Sequence, residues 1–502
     1  MTTAALQDDV KKVAIGAGVS LLGGVTGKGL FFLSQIIIAR ILGVEGFGLY
    51  ALGFAIVKIS DIIARLGINV GGMRFISLYN TDSPQNLKGT VITALIITLV
   101  NAVIIAVILY VFSERIAYLI FHNPEMVNAL KLFSYSIPFV TTMTVLSSLL
   151  QGFHTMKYTV YTRDTIQPIA NIMFIIIFYF MNLKLSGIIY AFIFSHFISI
   201  LFACYYLNYM FPPIKEPTVR PVYEIRQLIS YSFPLLFVGV LHYLIAWTDT
   251  LMLGYLSSGK DVGIYRAAFQ IPYVMTVFLM AANSIYAPLA ADLYQKGEME
   301  RLSFILKGIT RWVTFVTVPI FIFLQFSAKE VMAIFGNEYI ETGYIVLIIL
   351  SLGQLINCIT GSVGYTLTMT GNQKIELINS ILLGLVSIIL NFWLIPKYGA
   401  LGAAIASCSS MCLINMIRVL EIYWIFKINS LSKETYMVIF PMILSIIIMT
   451  FAHGLFSGNM KLAINILVII GNFVFYFKMS LSNADEFIKD TIRSKLFGRT
   501  VV

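Results

Sequence analysis

Long apolar runs separated by short polar breaks recur along the whole chain. The first two, Gly16–Ile38 and Phe47–Ile68, flank a glycine turn, Leu42-Gly43-Val44-Glu45-Gly46. Each run is about twenty residues, enough for a helix to cross a hydrocarbon core of ~30 Å. The same pattern predicts further spans at roughly 90–112, 132–151, 160–181 and 186–209. Phe211-Pro212-Pro213-Ile214-Lys215-Glu216-Pro217 and the polar stretch after it form the clearest linker. Spans resume at roughly 228–256, 262–290, 308–326, 342–366, 376–395 and 400–424, with a last pair at about 436–456 and 461–479. The total is about fourteen. Ser113–Lys131 and the mixed-charge tail from Ser480 read as surface segments on opposite sides.

The two halves repeat. Phe47-Gly48-Leu49-Tyr50 matches Val262-Gly263-Ile264-Tyr265 at an offset of 215. Leu185-Ser186-Gly187 matches Ala400-Leu401-Gly402 at the same offset, and Ile120-Phe121-His122-Asn123 resembles Ile334-Phe335-Gly336-Asn337 one position away from it. Six spans per repeat is an even number, so both halves insert the same way up. The expectation is an all-α polytopic membrane protein built from two six-helix bundles. A pseudo-two-fold along the membrane normal would relate them, with the substrate site between. Residues 1–214 would form the first lobe, 215–428 the second, and 429–502 two additional helices and a cytoplasmic tail.

Composition agrees: 59% of the 502 residues are hydrophobic and 12% charged, against about 25% charged in soluble domains. The net charge of +10 is spread over many short loops. That reads as a topology signal, not a nucleic-acid surface. With the N-terminus inside, most Lys and Arg fall on cytoplasmic segments, so both termini are placed in the cytoplasm and the protein in the inner or plasma membrane. The opening MTTAALQDDVKK lacks the apolar core of a cleavable signal. Four cysteines, Cys204, Cys358, Cys408 and Cys412, lie in apolar stretches without metal-ligand spacing.

Ionised groups inside the runs carry the functional argument. Lys28 stands in the first run, and Lys58 and Asp61 in the second. A charge at that depth costs roughly 2.5–3.5 kcal/mol on insertion scales, and such residues normally face a bundle interior or a wet cavity. Lys58, Asp61 and Arg65 share one helix face, so Asp61 can neutralise either neighbour, and Arg65 can snorkel to the headgroups. Elsewhere His242 and Asp249 share a face. Arg266 is followed one turn on by Gln270. Gln354 and Asn357 lie together, as do Asn415 and Arg418. The candidate substrate set is Lys28, Lys58, Asp61, Arg65, Arg266, Gln270, Gln354 and Asn357; Asp61, Asp249 and His242 are candidates for ion coupling. Arg163-Asp164 reads as a mutually screened pair near the inner surface, and His196 as a hydrogen-bonded structural histidine. Pro138, Pro168, Pro234, Pro272 and Pro319 are candidate helix bends. Gly23-Gly24-Val25-Thr26-Gly27-Lys28 imitates a phosphate loop, but its spacing is wrong and Gly29 replaces the magnesium-binding hydroxyl. Its glycines suit close helix packing. No hydrolytic or group-transfer constellation occurs, which argues against an enzyme.

The pattern Ala39-Arg40-Ile41-Leu42-Gly43-x-x-Gly46-Phe47-Gly48-x-Tyr50, with Arg65-Leu66-Gly67 and Arg74, resembles the polysaccharide-transport flippases. These belong to the multidrug/oligosaccharidyl-lipid/polysaccharide exporter superfamily. The resemblance implies a two-lobed transporter that moves a polyprenyl-diphosphate-linked oligosaccharide from the inner to the outer leaflet by alternating access. It implies a lipid-linked substrate, membrane lipids and the polymerase and glycosyltransferase machinery as partners, no nucleic acid, a monomer, and no cofactor. Coupling would be to sodium, protons or the membrane potential. The alternatives on the same scaffold are a multidrug cation antiporter and a lipid II-type flippase, in which the final helix pair would border a groove for the lipid tail. Related flippases often use cavity arginines; here lysines stand at that depth.

Overall fold

The computed structural model describes residues 3–80, 83–430, 439–455 and 459–479; the tail from Ser480 lies outside the described residues. Among these the protein is helical, with no strand. The first half contains α1 (Thr3–Arg65), α2 (Ile68–Tyr79), α3 (Pro84–Leu119), α4 (Glu125–Ser134), α5 (Ile137–Gly152), α6 (Lys157–Thr159), a π-helical turn (Val160–Ile166), α7 (Gln167–Phe180) and α8 (Lys184–Met210). Then come α9 (Ile225–Leu256), α10 (Gly259–Gln270), α11 (Tyr273–Gln295), α12 (Met299–Phe326), α13 (Ala328–Ala333), α14 (Ile340–Thr360), α15 (Val363–Met369), α16 (Gln373–Tyr398) and α17 (Ala400–Phe426). The last described pair is α18 (Ile439–Leu455) and α19 (Asn459–Met479).

Nine described helices are long and apolar enough to cross a membrane, or ten if α4 and α5, bent by 44°, form one span. The expected fourteen is not reached by this criterion. One reason is that α1 joins two expected spans into 63 residues. The turn anticipated at Leu42–Gly46 is one residue wide: Gly43 alone leaves helical geometry, at φ 69° and ψ −177°. Only glycine takes that conformation without a steric penalty. Side chains satisfy the break, since the Val44 N–H donates to Glu338 at 3.3 Å and the Tyr339 hydroxyl donates to the Gly43 carbonyl at 3.1 Å.

The second expected span also runs further than its apolar pattern. After a left-handed step at Leu66 and Gly67 (φ 51° and 73°), α2 carries it to Tyr79. Gly67 lies directly against the Ser232 carbonyl of α9, where a Cβ would collide with it. Pro138 lies just past the 44° bend between α4 and α5 and Pro272 at the break between α10 and α11, as expected of candidate bends, whereas Pro168 follows the π-helical turn inside a continuous helical run from Lys157 to Phe180. At the start of α5 and just before α11 the missing N–H removes no intrahelical bond. Pro234 and Pro319 do lie inside helices.

The chain divides into two compact units. Unit 1 is Met1–Ala267, Phe335–Tyr339 and Asn391–Ala403; unit 2 is Ala268–Ile334, Ile340–Leu390 and Ala404–Val502. Residues 225–267, which the offset assigns to the second repeat, cluster with unit 1. Each unit has its own apolar core. Leu87, Val91 and Leu207 are buried in one, and Leu302, Leu306 and Ile422 in the other. These three pairs stand 215 positions apart, so the repeat reaches the packing as well as the turns. In unit 2, α12 also packs on α18 and α19, and Asn465 donates to Ser327 at 2.8 Å.

Candidate functional site

Within unit 1, side chains of α1, α5, the π-turn, α7 and α8 enclose a cavity of about 160 Å³. Glycines determine how α1 meets the π-turn. A Cβ on Gly23 would collide with Val160, and one on Gly27 would lie 2.8 Å from the Asp164 carbonyl. These two positions are four apart and so share a helix face; Gly24 and Gly29 face open space. The π-turn is one residue wider per turn than an α-helix, a device frequent at functional sites. Here Asp164 packs against α1 while Arg163 lines the cavity.

The cavity wall is basic, neutral-polar and aromatic. Lys58, Arg163 and His196 line it with Ser147, Asn171 and Phe54, and no carboxylate is among the lining side chains of the described residues. The Lys58 ammonium lies 5.3 Å from the Phe54 ring centre. Asp61, 2% exposed, is within ion-pair range of Arg65, whose Nε is 3.2 Å from Oδ1 but donates its hydrogen bond to the Asp61 carbonyl at 3.2 Å; Oδ1 has no hydrogen-bond partner among the described residues. Arg163 forms a double bond-pair with its neighbour, Nε to Oδ1 of Asp164 at 2.8 Å and Nη2 to Oδ2 at 3.1 Å. His196 is buried, with Nδ1 2.8 Å from the Phe192 carbonyl. That contact assigns the proton to Nδ1 and leaves Nε2 as an acceptor. Ser147 Oγ and Asn171 Oδ1 are buried without a hydrogen-bond partner among the described residues. The second repeat does not reproduce the charges: positions 215 beyond Lys58, Arg163 and His196 hold Tyr273, Ile378 and Met411.

The other candidates are dispersed. Lys28 is exposed on α1 and is not part of the cavity wall. Arg266, on α10, stacks its guanidinium 4.0 Å from the Trp247 ring. Trp247 meets Phe54 at 5.8 Å and stacks on Tyr243 at 5.5 Å. A cation–ring–ring–cation run therefore joins Lys58 to Arg266. Asp249 accepts from the Tyr265 hydroxyl at 2.7 Å and from Asn391 Nδ2 at 2.6 Å, whereas His242 on the same helix is exposed. Gln270 ends α10, half-buried. In unit 2, Gln354 is buried on α14, its Oε1 without a hydrogen-bond partner among the described residues, and Asn357 is half-buried one turn on. Asn415 accepts from Thr360 at 3.1 Å, and Arg418 holds Glu376, with Nε 3.0 Å from Oε2. Arg163 and His196 were visible in the sequence as an ion pair and a structural histidine. Nothing in their spacing showed that they share a cavity with Lys58.

This arrangement can be set beside known proteins. A model of the polysaccharide biosynthesis protein family matches residues 13–294, and a MatE model matches residues 234–393. The chain is 21% identical to an uncharacterized membrane protein of Methanocaldococcus jannaschii, over 97% of this chain and 99% of the other. It is 26% identical to the capsular polysaccharide biosynthesis protein CapF of Staphylococcus aureus, over 79% and 94%. Among solved structures, the lipid II flippase MurJ in an inward closed conformation superposes with a TM-score of 0.71 at 16% identity, over 94% of this chain and 99% of that one. The chain therefore belongs to the polysaccharide biosynthesis protein family.

Proposed function

We propose that the protein is a flippase that carries polyprenyl-diphosphate-linked oligosaccharides from the cytoplasmic to the outer leaflet by alternating access, for cell-surface polysaccharide synthesis. The observation that carries this reading is the cavity of unit 1, where Lys58 and Arg163 meet with no carboxylate in the wall among the described residues. A diphosphate needs cationic donors, and charge-assisted bonds to it are the strong ones. Sugars need neutral hydrogen-bonding groups and aromatic faces, which Ser147, Asn171, Phe54 and Tyr50 supply in the same wall. CapF, named for capsular polysaccharide biosynthesis, supports the substrate class. Two anionic charges moving outward through 100 mV gain ~4.6 kcal/mol, so the membrane potential favours export.

The second reading is a cation antiporter, favoured by the MatE match over residues 234–393, which contain the intramembrane Asp249. Against it, Asp249 is already engaged by Tyr265 and Asn391, and the cavity wall would repel a cation. The deciding experiment is flipping of defined polyprenyl-diphosphate sugars in proteoliposomes. Wild-type protein should flip them and Lys58→Gln should slow flipping at least about tenfold. Transport of organic cations in their place, unaffected by Lys58→Gln, would overturn the flippase reading; preference for a peptidoglycan precursor would select the lipid II-type alternative.

A further inference from the structure

We infer that the segment 335–339 is the fulcrum of a hairpin formed by α1, and that Glu338 and Tyr339 are positioning residues. From outside the cavity they set the spacing of the two α1 arms that form part of its wall. The inference rests on the flippase reading only where transport is the readout.

The fold-back of α1 is the first argument. Phe31 and Phe54, 12 residues before Gly43 and 11 after it, bring their ring centres to 6.4 Å. An unbroken helix would hold them about 35 Å apart, so the chain reverses at Gly43. Both arms line the cavity, one through Phe31 and Ser34, the other through Tyr50, Phe54 and Lys58. The angle at one residue therefore decides how far Lys58 stands from the opposite arm.

The grip on the apex is the second argument. The first arm makes the ring contact Phe32–Phe335 at 6.0 Å. Its Gly43 carbonyl accepts from the Tyr339 hydroxyl at 3.1 Å, with the Ala39 carbonyl 3.4 Å from the same oxygen. The second arm gives the Val44 N–H to Glu338 at 3.3 Å and packs Phe47 against the Tyr339 ring at 6.3 Å. Phe335 and Tyr339 are both buried. The segment clusters with unit 1, whereas its chain neighbours Ile334 and Ile340 fall in unit 2. Its packing follows the apex rather than the helices it connects.

The repeat supplies the third argument. The corresponding turn of the second half, between α9 and α10, is closed by its own residues. Asp261 accepts from the Ser257 hydroxyl at 2.5 Å, and its N–H donates to Ser258 Oγ at 3.2 Å. The position 215 before Asp261 is Gly46, which has no side chain to offer. A helix start needs an acceptor for its first N–H groups, and Glu338 brings one from 294 positions away. The first-half loop that matches 334–337 continues as Pro124-Glu125 where the second continues as Glu338-Tyr339. That first-half loop lies at the end of α9, with the His122 ring 5.9 Å from Tyr255. The turn with its own carboxylate thus meets a loop without the gripping pair, and the turn without one meets the loop that has it.

Spin labels on the full chain test this. Val25→Cys and Ile63→Cys carry them, with the four native cysteines changed to alanine. These positions stand 18 residues before and 20 after Gly43 and are 52% and 38% exposed. Each arm is then a lever of about 27–30 Å, so a change of about 10° at the apex moves the labels by about 5 Å. Without changes at the fulcrum, double electron–electron resonance should give one narrow distance. Glu338→Ala and Tyr339→Phe should each shift or broaden it by about 5 Å. Glu338→Gln keeps an acceptor for Val44 and should leave the distance as it is. An unchanged distance in both Glu338→Ala and Tyr339→Phe overturns the fulcrum, even where the melting temperature falls. A shift as large in Glu338→Gln as in Glu338→Ala overturns the role of the acceptor. Amide exchange on the chain with its native cysteines is the second measurement: Tyr339→Phe should speed exchange along both arms, and an increase confined to the apex counts against the proposal. Tyr339→Phe should also slow flipping of polyprenyl-diphosphate sugars, and flipping at the wild-type rate with displaced arms overturns the positioning role. Displaced arms in variants of a protein that flips no such lipid would remove the flippase reading and leave the fulcrum standing.

Discussion

Gly48 and Gly263, 215 positions apart in the chain, make the same contact from opposite sides. Gly48 lies against the carbonyl of Gly259, and Gly263 lies against the carbonyl of Val44. Val44 and Gly259 are themselves 215 apart, so exchanging the repeats maps the contact onto itself, as at an isologous interface. Gly48→Ala and Gly263→Ala should each destabilise the purified protein by about 1–3 kcal/mol, the usual cost of overpacking, and by similar amounts. Gly24→Ala, with open space around it, is the neutral control. Thermal unfolding of the three variants in detergent checks this; tolerance of either of the first two would break the equivalence.

Asp61 and Arg65 form a pair that is mostly shielded from solvent. Removing one partner of such a pair leaves the other charge uncompensated, at a cost of about 3 kcal/mol. Asp61→Asn should therefore lower the melting temperature more than Asp61→Asn combined with Arg65→Gln. A double variant that is the less stable of the two would show that the charges act separately.

Asp249 tests structure against coupling. Its carboxylate accepts from both Tyr265 and Asn391, whereas an amide has one oxygen. Asp249→Asn should cost about 1–3 kcal/mol, and adding Tyr265→Phe should cost less than the two separate effects together. In proteoliposomes, persistence of any sodium or proton dependence of flipping in Asp249→Asn would assign coupling elsewhere, with Asp61 and His242 next to be changed.

Trp247 joins the two cationic ends of the Lys58–Arg266 run. Trp247→Leu should destabilise the protein by more than the cation–π contribution of about 0.5–2 kcal/mol, because ring packing is lost too. Trp247→Phe should recover part of it. Equal melting temperatures for the leucine and phenylalanine variants would mean that the ring face contributes nothing.

The repeat was readable because glycines at close contacts and apolar residues at core positions keep their register: Gly48 with Gly263, Leu87 with Leu302, Leu207 with Ile422. The span count was less so. Hydropathy sees apolar lengths, whereas the ends of helices depend on single residues such as Gly43 and Gly67 that change the path without interrupting the apolar run. Lys58 was identifiable by its depth in a span. Lys28 has the same depth in its run yet is exposed on α1, since depth along a helix does not say which face its neighbours cover. Arg163 was hidden for another reason: helical-face arguments assume 3.6 residues per turn, and the π-turn violates that at its position.

That wider turn has a consequence for how the chain tolerates insertions and deletions. Val160–Ile166 accommodates surplus backbone relative to regular helix. Deleting a single residue there would let the segment relax to ordinary winding and rotate the preceding side chains relative to α7 by about 100°. Arg163 would then leave the wall while Asn171 and the rest of α7 stayed in place. The length of this seven-residue stretch, as much as the identity of any residue in it, decides whether the chain presents a guanidinium to the cavity at all.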